Sequence, residues 1–384
     1  MPTTRLKNAA YRLMLPFCAP SCGRHPVTYL SGHELVYRRD FEHLLRKHHV
    51  LGSAVLLNDG FRHSLICSSS QSPDHQAVPA TYFRVASITK TATAVLAMKL
   101  VDHQILDLDC PVGSMFGSAS AESVLEGITL SHLLSHTSGL ADPPDLESKL
   151  EAGIPFTDFL PAVRLDEPGR SFRYSNLGFG LIGCVMEAAL DQPVGRIFRE
   201  RLFEPLGMNA TLEGCLLPSD RIMPVTRILP YHKGRETVLT RLGSVPLHHP
   251  DPLRHYGHTA GSMYTDISSL HKLLNELVPG GNGFLSDSGC RLMQAQHASY
   301  GKISPTLTYG YGLLRINDPF LSESTVLGHQ GFAYGCADGA FWEENSGRIL
   351  IMLNGGSSEA RHGRLGLLNR DLLRWAFRKE LPSW

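Results

Sequence analysis

Apolar and polar positions alternate along this chain with the periods of helices and of strands in turn. In residues 33–49 apolar side chains recur every three or four positions, which predicts an amphipathic helix. Two apolar runs follow at 50–57 and 61–68, and the Asn-Asp-Gly sequence at 58–60 predicts a turn that joins them as a β-hairpin. After a polar loop, helical spacing returns and predicts a helix over residues 87–103.

The middle of the chain has a different texture, in which predicted helices alternate with loops rich in proline and glycine. The predicted helices are 129–136, 176–190, 194–203 and 262–277. Residues 218–256 are rich in proline, histidine and arginine and have weak periodicity, so we interpret them as a loop or lid.

The last part of the chain returns to strands and then ends in a helix. Apolar runs divided by glycine or asparagine predict strands at 309–316, 325–330, 337–343 and 348–355. Residues 360–381 have one apolar face at helical spacing and are predicted as a helix.

The early hairpin has no sequential partner strand, so its edges must pair with the late strands. This pairing predicts a protein of two lobes. The sheet lobe contains residues 33–103 plus 306–384, and a mostly helical lobe, residues 104–305, is inserted between these two parts. Residues 1–32 are predicted to be a loosely ordered N-terminal segment.

Composition narrows the classes of function. The 384 residues are 42% hydrophobic and include 36 basic and 36 acidic side chains, so no charge excess favours nucleic acid or an anionic membrane. No run reaches the roughly 18 apolar residues that a membrane span needs. The apolar run at 13–19 is short and broken by Pro16, so we favour a cytoplasmic protein, with an exported precursor as the alternative. Nothing in the pattern predicts an oligomeric state.

Neither the cysteines nor the histidines predict a metal site. The eight cysteines are scattered apart from Cys18 and Cys22, which favours reduced thiols over a zinc ribbon or a disulfide framework. His132 and His136 are four apart on a predicted helix, but the glutamate of a zinc protease motif is absent. A second group of histidines is expected to be solvated or to line an entrance: His248, His249, His255 and His258.

The first candidate for chemistry is the pair Ser87 and Lys90 at the start of a predicted helix. Residues three apart share a helix face, so the lysine can reach the serine hydroxyl. A lysine that burial or a nearby cation keeps neutral can take the proton of a serine nucleophile. The same spacing occurs at Ser269 and Lys272 and at Ser299 and Lys302, so it is specific only in context.

Two further motifs can complete such a site. Tyr174 precedes an apolar helix and, beside a protonated lysine, its phenolate would form more easily and could pass a proton to a leaving group. Asn176 offers a donor and an acceptor to a substrate amide; a packed tyrosine and a helix cap are the structural alternatives. His329 and Gly331 lie in an apolar strand region, where the N–H groups of Phe332 and the predicted nucleophile could form an oxyanion hole.

The order Ser-x-x-Lys, Tyr-x-Asn and His-x-Gly resembles that of the serine β-lactamase-like and penicillin-binding protein superfamily. This superfamily includes class C β-lactamases, D-alanyl-D-alanine carboxypeptidases, D-aminopeptidases and related esterases. The resemblance runs from about residue 33 to 356 and includes Ile-Thr-Leu-Ser-His-Leu-Leu-Ser-His-Thr-Ser-Gly-Leu at 128–140, with further matches at 174–178, 259–265 and 309–312. It implies an α+β fold with an antiparallel β-sheet flanked by helices and an inserted, mostly helical lobe.

The resemblance also implies residue roles. Ser87 is expected to be the acylated nucleophile, Lys90 and Tyr174 the base system, and Asn176 a ligand of the substrate amide. Many β-lactamases carry Lys-Thr-Gly at the third motif, where this chain has His-Gln-Gly at 329–331. A neutral histidine attracts a carboxylate less strongly than an ammonium does, which argues against efficient β-lactam hydrolysis.

Together these observations predict a serine hydrolase that acts through an acyl-enzyme on a small molecule or short peptide, with a D-amino acid amide or peptide as the first expectation. Esters, β-lactams and acyl transfer to an amine are the alternatives within the same chemistry. A non-catalytic relative that binds a peptidoglycan-like ligand or a β-lactam without turnover is the alternative from another class. No metal and no other cofactor is expected.

Overall fold

The structure is a computed structural model, and it describes residues 10, 13–15, 27–31, 38–59, 63–69, 76–228, 232–233 and 247–378. The strands are β1 (Val27–Ser31), β2 (Ser53–Asn58), β3 (His63–Ser68), β4 (Phe83–Arg84), β5 (Ala210–Thr211), β6 (Thr226–Arg227), β7 (His232–Lys233), β8 (Tyr264–Thr265), β9 (Ala298–Ser299), β10 (Leu307–Tyr309), β11 (Leu314–Ile316), β12 (Val326–Ala333), β13 (Cys336–Glu343), β14 (Ile349–Asn354), β15 (Arg361–His362) and β16 (Leu365–Gly366). The helices are α1 (Arg38–Lys47), α2 (Thr89–Asp102), α3 (Ala119–Val124), α4 (Leu130–Leu134), α5 (Leu146–Glu151), α6 (Leu160–Val163), α7 (Asn176–Leu190), α8 (Val194–Phe198), α9 (His258–Gly261), α10 (Ile267–Asn275), α11 (Asp287–Gln294) and α12 (Leu367–Arg378).

Nine strands form one antiparallel sheet in the order β1-β3-β2-β14-β13-β12-β11-β10-β9. The early hairpin β2–β3 joins the late strands through β14, where Leu56 lies opposite Ile351. This is the pairing of early with late strands that the sequence predicts, and the α+β architecture with an antiparallel sheet and flanking helices is confirmed. The division into a sheet lobe and a helical lobe stays a prediction.

Alternation along the central strands gives the sheet two apolar faces. On β2, Val55 packs with α1 and α12, whereas its neighbours Ala54 and Leu56 pack on the opposite face with α2 and the helices that follow it. Because side chains in a strand point to opposite faces in turn, a nearly continuous apolar run is what two covered faces require. On this face α10 packs across β14, β13 and β2, whereas α2 approaches the sheet at β12.

A second, three-stranded sheet in the order β4-β8-β5 positions the start of α2. Phe83 pairs with Thr265 and Arg84 with Tyr264, and the N–H of Val85 donates to the carbonyl of Met263 at 3.0 Å. This short ladder fixes the backbone that enters α2, so residues far apart in sequence meet immediately before Ser87.

Four predicted elements differ from the structure. The strand predicted at 309–316 is divided into β10 and β11, because Gly312 turns at φ +65° where an added Cβ would lie 2.7 Å from the Lys90 carbonyl oxygen. The helix predicted at 360–381 begins at Leu367, since a hairpin of β15 and β16 with Gly363 at φ +58° precedes it. The helix predicted at 262–277 begins at Ile267, capped by the Asp266 carboxylate.

The fourth difference concerns the N-terminal segment. Val27–Ser31 form edge strand β1, which pairs with β3, whereas most of the predicted loose segment 1–32 lies outside the described residues. Of the predicted loop or lid 218–256, residues 229–231 and 234–246 lie outside the described residues as well. Within the described ranges, no single helix is long and apolar enough to cross a membrane. The pair Asn176–Leu190 and Val194–Phe203 reaches that length and hydropathy only when its two helices, bent by 87°, are taken together.

Candidate active site

Ser87 lies in a single 3₁₀ turn, Ala86–Ile88, that leads directly into α2. Ala86 has φ +46°, a conformation that costs a residue with a Cβ about 1–3 kcal/mol and that persists only where the surroundings hold it. The Thr89 hydroxyl donates to the Ala86 carbonyl at 2.6 Å and accepts from the Met263 N–H at 3.1 Å, which holds this turn in place. The strain and its support lie next to the predicted nucleophile.

Lys90 is fully buried and its amine lies between three oxygen atoms. Its Nζ is 3.2 Å from the Ser87 hydroxyl, 2.8 Å from the Asn176 side-chain carbonyl and 2.7 Å from the Ala260 backbone carbonyl. A neutral amine has two N–H donors and one lone pair. The two carbonyl oxygens take the donors, so the lone pair is left facing the Ser87 O–H, which is the arrangement that proton removal requires.

The charge state of this lysine follows from its surroundings. Burial lowers the pKa of Lys90 to about 7, opposed by the Asp142 carboxylate and assisted by the Arg84 guanidinium. A buried ammonium loses its hydration, and this loss outweighs the one nearby carboxylate. A large fraction of Lys90 is therefore uncharged at neutral pH and can accept a proton.

Tyr174 reaches the same hydroxyl from the segment that precedes α7. It is half-buried and hydrogen-bonds Ser87 through its side chain, and its ring centroid is 4.9 Å from the Lys90 Nζ. Burial raises the pKa of Tyr174 far above its usual value, an effect that the hydrogen bond to Ser87 only partly opposes. The structure thus favours a neutral phenol, which donates a proton, over the more easily formed phenolate that the sequence suggested.

Asn176 is held by a residue that the sequence analysis missed. Asp142 accepts from the Asn176 side-chain amide at 2.8 Å, from the Ser175 hydroxyl at 2.9 Å and from the Leu177 N–H at 2.9 Å. Ser175, not Asn176, caps α7. The Asn176 amide is thereby oriented with its oxygen on Lys90. A single aspartate in a loop carries no pattern that could have identified it.

His329 lies on β12 close to this group, but both of its ring nitrogens already have protein partners. Its Nδ1 lies 2.7 Å from the Gln330 carbonyl, to which it donates, and its Nε2 accepts from the Tyr309 hydroxyl at 3.0 Å. Burial, assisted by the Lys90 charge, lowers the pKa of His329 to about 3, so the ring is neutral. In this conformation His329 therefore has no free ring nitrogen for the polar contact to substrate that was predicted for it.

Gly331 explains how β12 comes so close to the nucleophile. A Cβ added there would lie 2.3 Å from the Val85 carbonyl oxygen, so only glycine fits this approach. The next residue, Phe332, pairs with Ala337 on β13, and its ring lies under the Arg361 guanidinium at 3.9 Å. The oxyanion hole formed by the Ser87 and Phe332 N–H groups stays a prediction.

The histidines considered as metal ligands have structural roles instead. His132 Nδ1 accepts from the Thr129 N–H in a capping box, and His136 Nδ1 accepts from the Ser175 N–H at 3.2 Å. The His136 ring packs against Tyr174 with centroids 4.3 Å apart, which supports the tyrosine from behind. His248 and His249 are exposed.

The remaining two histidines are not solvated, contrary to the expectation from sequence. His255 and His258 are buried, and the His255 ring hydrogen-bonds Glu187 at 2.8 Å. The free thiols among the described cysteines are Cys67, Cys110, Cys184, Cys215, Cys290 and Cys336.

The Ser269 and Lys272 pair is built differently. Ser269 lies in α10, and its hydroxyl accepts from the Asn209 N–H at 2.8 Å. Lys272 donates to the Gly207 carbonyl. In contrast, Ser87 lies in a cleft of about 750 Å³. That cleft brings together Ser87, Tyr174, Asn176, His329 and Phe332 from the predicted site, with Arg84 and Ala260 among its further lining residues.

Comparison with known proteins shows which family this chain is similar to. The beta-lactamase family model matches residues 38–373. Esterase EstB of Burkholderia gladioli is 28% identical over 329 residues, which are 76% of this chain and 81% of the esterase. Penicillin-binding protein 4 of Amycolatopsis lactamdurans is 32% identical over 184 residues, but the match covers only 46% of this chain and 48% of that protein.

Solved structures agree on the fold. D-amino acid amidase from Ochrobactrum anthropi SV3 has a TM-score of 0.67 at 23% identity, covering 87% of this chain and 94% of that chain. EstCE1, a hydrolase with promiscuous acyltransferase activity, has a TM-score of 0.67 at 21% identity, and the match covers 88% of this chain and 98% of that chain. The expected β-lactamase and transpeptidase-like fold is confirmed. With the family model matched over most of its length, the chain belongs to the beta-lactamase family and thus to the serine hydrolase superfamily that its motifs resemble.

Proposed function

We propose that the protein hydrolyses a small amide or peptide containing a D-amino acid, through an acyl-enzyme on Ser87. The observation that carries the proposal is the buried Lys90 amine, which lies 3.2 Å from the Ser87 hydroxyl and has a pKa lowered to about 7 by burial. A base of this pKa at hydrogen-bond distance matches what activation of a serine at neutral pH requires.

The reaction divides into proton and acyl transfer. Lys90 takes the Ser87 proton as Oγ attacks the carbonyl carbon, and the N–H groups of Ser87 and Phe332 stabilise the oxyanion. The neutral phenol of Tyr174 donates its proton to the leaving amine or alcohol as the bond breaks, and the Lys90 ammonium restores it. Water then releases the acyl group by the same route in reverse. The Asn176 oxygen has a second lone pair beside Lys90, and its amide has a second N–H beside Asp142. These accept from and donate to the substrate amide.

An ester substrate is the second candidate. Esterase EstB aligns over most of both chains, and its name supports ester chemistry for a site of this family. D-amino acid amidase and EstCE1 have the same fold, and at their identities they support neither substrate over the other. Carboxylate-bearing β-lactams are further candidates, although His329 stands where many β-lactamases have lysine.

The test is a substrate panel with the Ser87→Ala variant. D-amino acid amides, p-nitrophenyl esters and a fluorescent penicillin are offered to both proteins. Turnover of an amide or ester that falls at least about 10³-fold in Ser87→Ala supports the proposal. The exposed serine of another Ser-x-x-Lys pair provides the matched control, because Ser299→Ala should retain full activity.

Two outcomes would contradict this function. Stable labelling of Ser87 by the penicillin with no turnover of any amide or ester would favour a binding protein. Turnover that persists in Ser87→Ala would place the chemistry on another residue.

A further inference from the structure

The cleft beside Ser87 is lined by an excess of positive charge. Its lining arginines are Arg84, Arg173, Arg227, Arg361 and Arg364. Among the described lining residues, the one carboxylate is that of Glu147, and Glu359 outside the lining pairs with Arg227 at 3.1 Å. A concave surface of one charge raises the local concentration of ligands of the opposite charge, so this cleft favours an anionic substrate.

Arg84 is the one buried side chain among these five arginines. Its side chain is about nine-tenths buried, at 7% exposure, and its Nε and Nη1 atoms have no hydrogen-bond acceptor among the described residues. A buried charge that lacks such partners costs folding free energy, and it persists where a ligand provides what the protein does not.

A buried carboxyl that feels the charge of Arg84, that of Asp338, makes no hydrogen bond to this guanidinium. Asp338 uses its Oδ1 to accept from the N–H and the side-chain amide of Asn354, and its Oδ2 has no partner among the described residues. Burial raises the pKa of Asp338 well above its usual value, which favours the uncharged acid. With no hydrogen bond to this carboxyl, the Nε and Nη1 atoms of Arg84 remain available for a ligand.

A second unpartnered group lies on the same wall of the cleft. The Arg84 Nη2 atom lies 3.8 Å from where a Cβ on Gly261 would be, and the next residue, Ser262, is 1% exposed with no partner for its hydroxyl among the described residues. Both glycine and serine line the cleft, directly after the Ala260 carbonyl that holds Lys90. Guanidinium and hydroxyl donors together suit one carboxylate.

Tyr334 covers this place in the structure. Its ring centroid is 5.2 Å from the Arg84 guanidinium carbon, and its hydroxyl donates to Glu147 across the cleft at 2.8 Å. Tyr334 itself has φ +53°, a strained conformation in the turn between β12 and β13. The hydrogen bond with Glu147 is exposed to solvent, and such bonds contribute little to stability.

We infer that Arg84, with Ser262, forms a subsite that binds a carboxylate of the substrate next to Ser87, and that Tyr334 covers the subsite until the substrate enters. This inference rests on the proposed acyl-enzyme function and specifies its substrate class as a carboxylate-bearing ester or amide. It places the recognition of the anion on the strand that leads into the nucleophile, since the third motif holds a neutral histidine.

The test uses substrate pairs that differ only in charge. One pair is the 3-carboxyphenyl and 3-carbamoylphenyl esters of N-acetyl-D-alanine, which place the group on the leaving side. The other is the phenyl esters of N-succinyl-D-alanine and N-succinamoyl-D-alanine, which place it on the acyl side. In at least one pair, the native protein should prefer the carboxylate about 10- to 100-fold in kcat/KM, the range of a hydrogen-bonded charge.

Three variants decide the assignment. Compared at a pH above the acidic limb of every variant, Arg84→Gln should remove the preference for the carboxylate, and Arg84→Lys should retain part of it. Arg364→Gln, which removes one exposed charge from the same cleft, should leave most of the preference. Tyr334→Ala should lower KM for the carboxylate ester only.

Several results would overturn the subsite. One is equal rates for both members of each pair in the native protein. Another is an unchanged preference in Arg84→Gln, or an equal loss on both esters in Arg84→Gln and Arg84→Lys. The last is a loss of preference in Arg364→Gln as large as that in Arg84→Gln. Failure of the proposed function looks different, because the native protein would then turn over none of the esters, or turnover of the neutral esters would survive in Ser87→Ala.

Discussion

Two buried basic side chains, Arg84 and Lys90, come three positions before and three positions after Ser87, and their surroundings differ. The Lys90 amine has an oxygen atom in each of three directions, and burial leaves it largely uncharged at neutral pH. The Arg84 guanidinium cannot lose its proton and has two nitrogen atoms without partners among the described residues. A fully satisfied group is held in one geometry and can transfer a proton, whereas an unsatisfied one is suited to binding a ligand.

The amine side of this comparison is tested most directly by Lys90→Ala. Loss of a general base typically lowers the rate by about 10²- to 10⁴-fold, and we expect kcat/KM to fall in that range. Lys99→Ala is the matched control on α2, because its amine donates to the Phe284 carbonyl outside the cleft. Steady-state kinetics on one ester would contradict the role of Lys90 if both variants were equally active.

The support of the amine is tested by Asp142→Asn. An asparagine amide cannot accept from both the Asn176 amide and the Ser175 hydroxyl, so Asn176 should be misplaced. A shift of about 1 Å in a catalytic constellation can cost about 10²-fold in rate, which is the loss we expect in kcat/KM. Asp145→Asn, an exposed position paired with Lys149, should change little.

If Asp142→Asn retained native activity, the contacts of Asp142 would be dispensable for catalysis. A comparison of melting temperatures separates this outcome from loss of folding, because Asp142 also holds the first turn of α7 through the Leu177 N–H.

The two basic groups should also influence each other through charge. With a Lys90 pKa of about 7, activity on a neutral ester should rise with pH through that value as the amine loses its proton. The Arg84 charge lowers the pKa of Lys90 and the Asp142 charge raises it. The acidic limb of the pH profile should therefore move to higher pH in Arg84→Gln and to lower pH in Asp142→Asn.

Shifts in the opposite directions, or in the same direction for both variants, would contradict this electrostatic coupling. The measurement is the pH dependence of kcat/KM on an uncharged ester, so that loss of carboxylate binding does not enter.

The smallest effect on catalysis is expected at Tyr309, on the far side of the cluster. Tyr309→Phe removes the donor to His329 Nε2 and leaves a buried nitrogen unpaired, which costs about 1–3 kcal/mol of unfolding free energy. Because His329 has no free ring nitrogen for the substrate, kcat/KM should fall less than about 10-fold. Urea unfolding together with kinetics checks both statements; a large loss of activity with unchanged stability would assign a direct role to this pair.

Much of the fold and the centre of the site could be predicted from local patterns. The apolar alternation of 50–57 and 61–68 predicted the hairpin now seen as β2 and β3, and the helical spacing after Ser87 predicted α2. Ser87, Lys90, Tyr174 and Asn176 were proposed as one constellation, and their side chains are in contact or linked through Lys90. The role of Asp142 was missed, because its partner Asn176 is 34 positions away and no motif includes it. No role was predicted for Arg84 or for Tyr309, although residues 309–312 were matched to the family.

The amino-acid sequence by itself determined the helical and strand periods of its elements, the residues that could carry serine chemistry, and the family. Only the tertiary structure decided the charge of Lys90, the protonation of Tyr174 and the unpartnered state of Arg84. The physical reason is that pKa values and hydrogen-bond satisfaction depend on burial and on neighbours from distant segments, such as Ala260 beside Lys90. A local pattern names a side chain, and the packing of remote parts of the chain sets its chemistry.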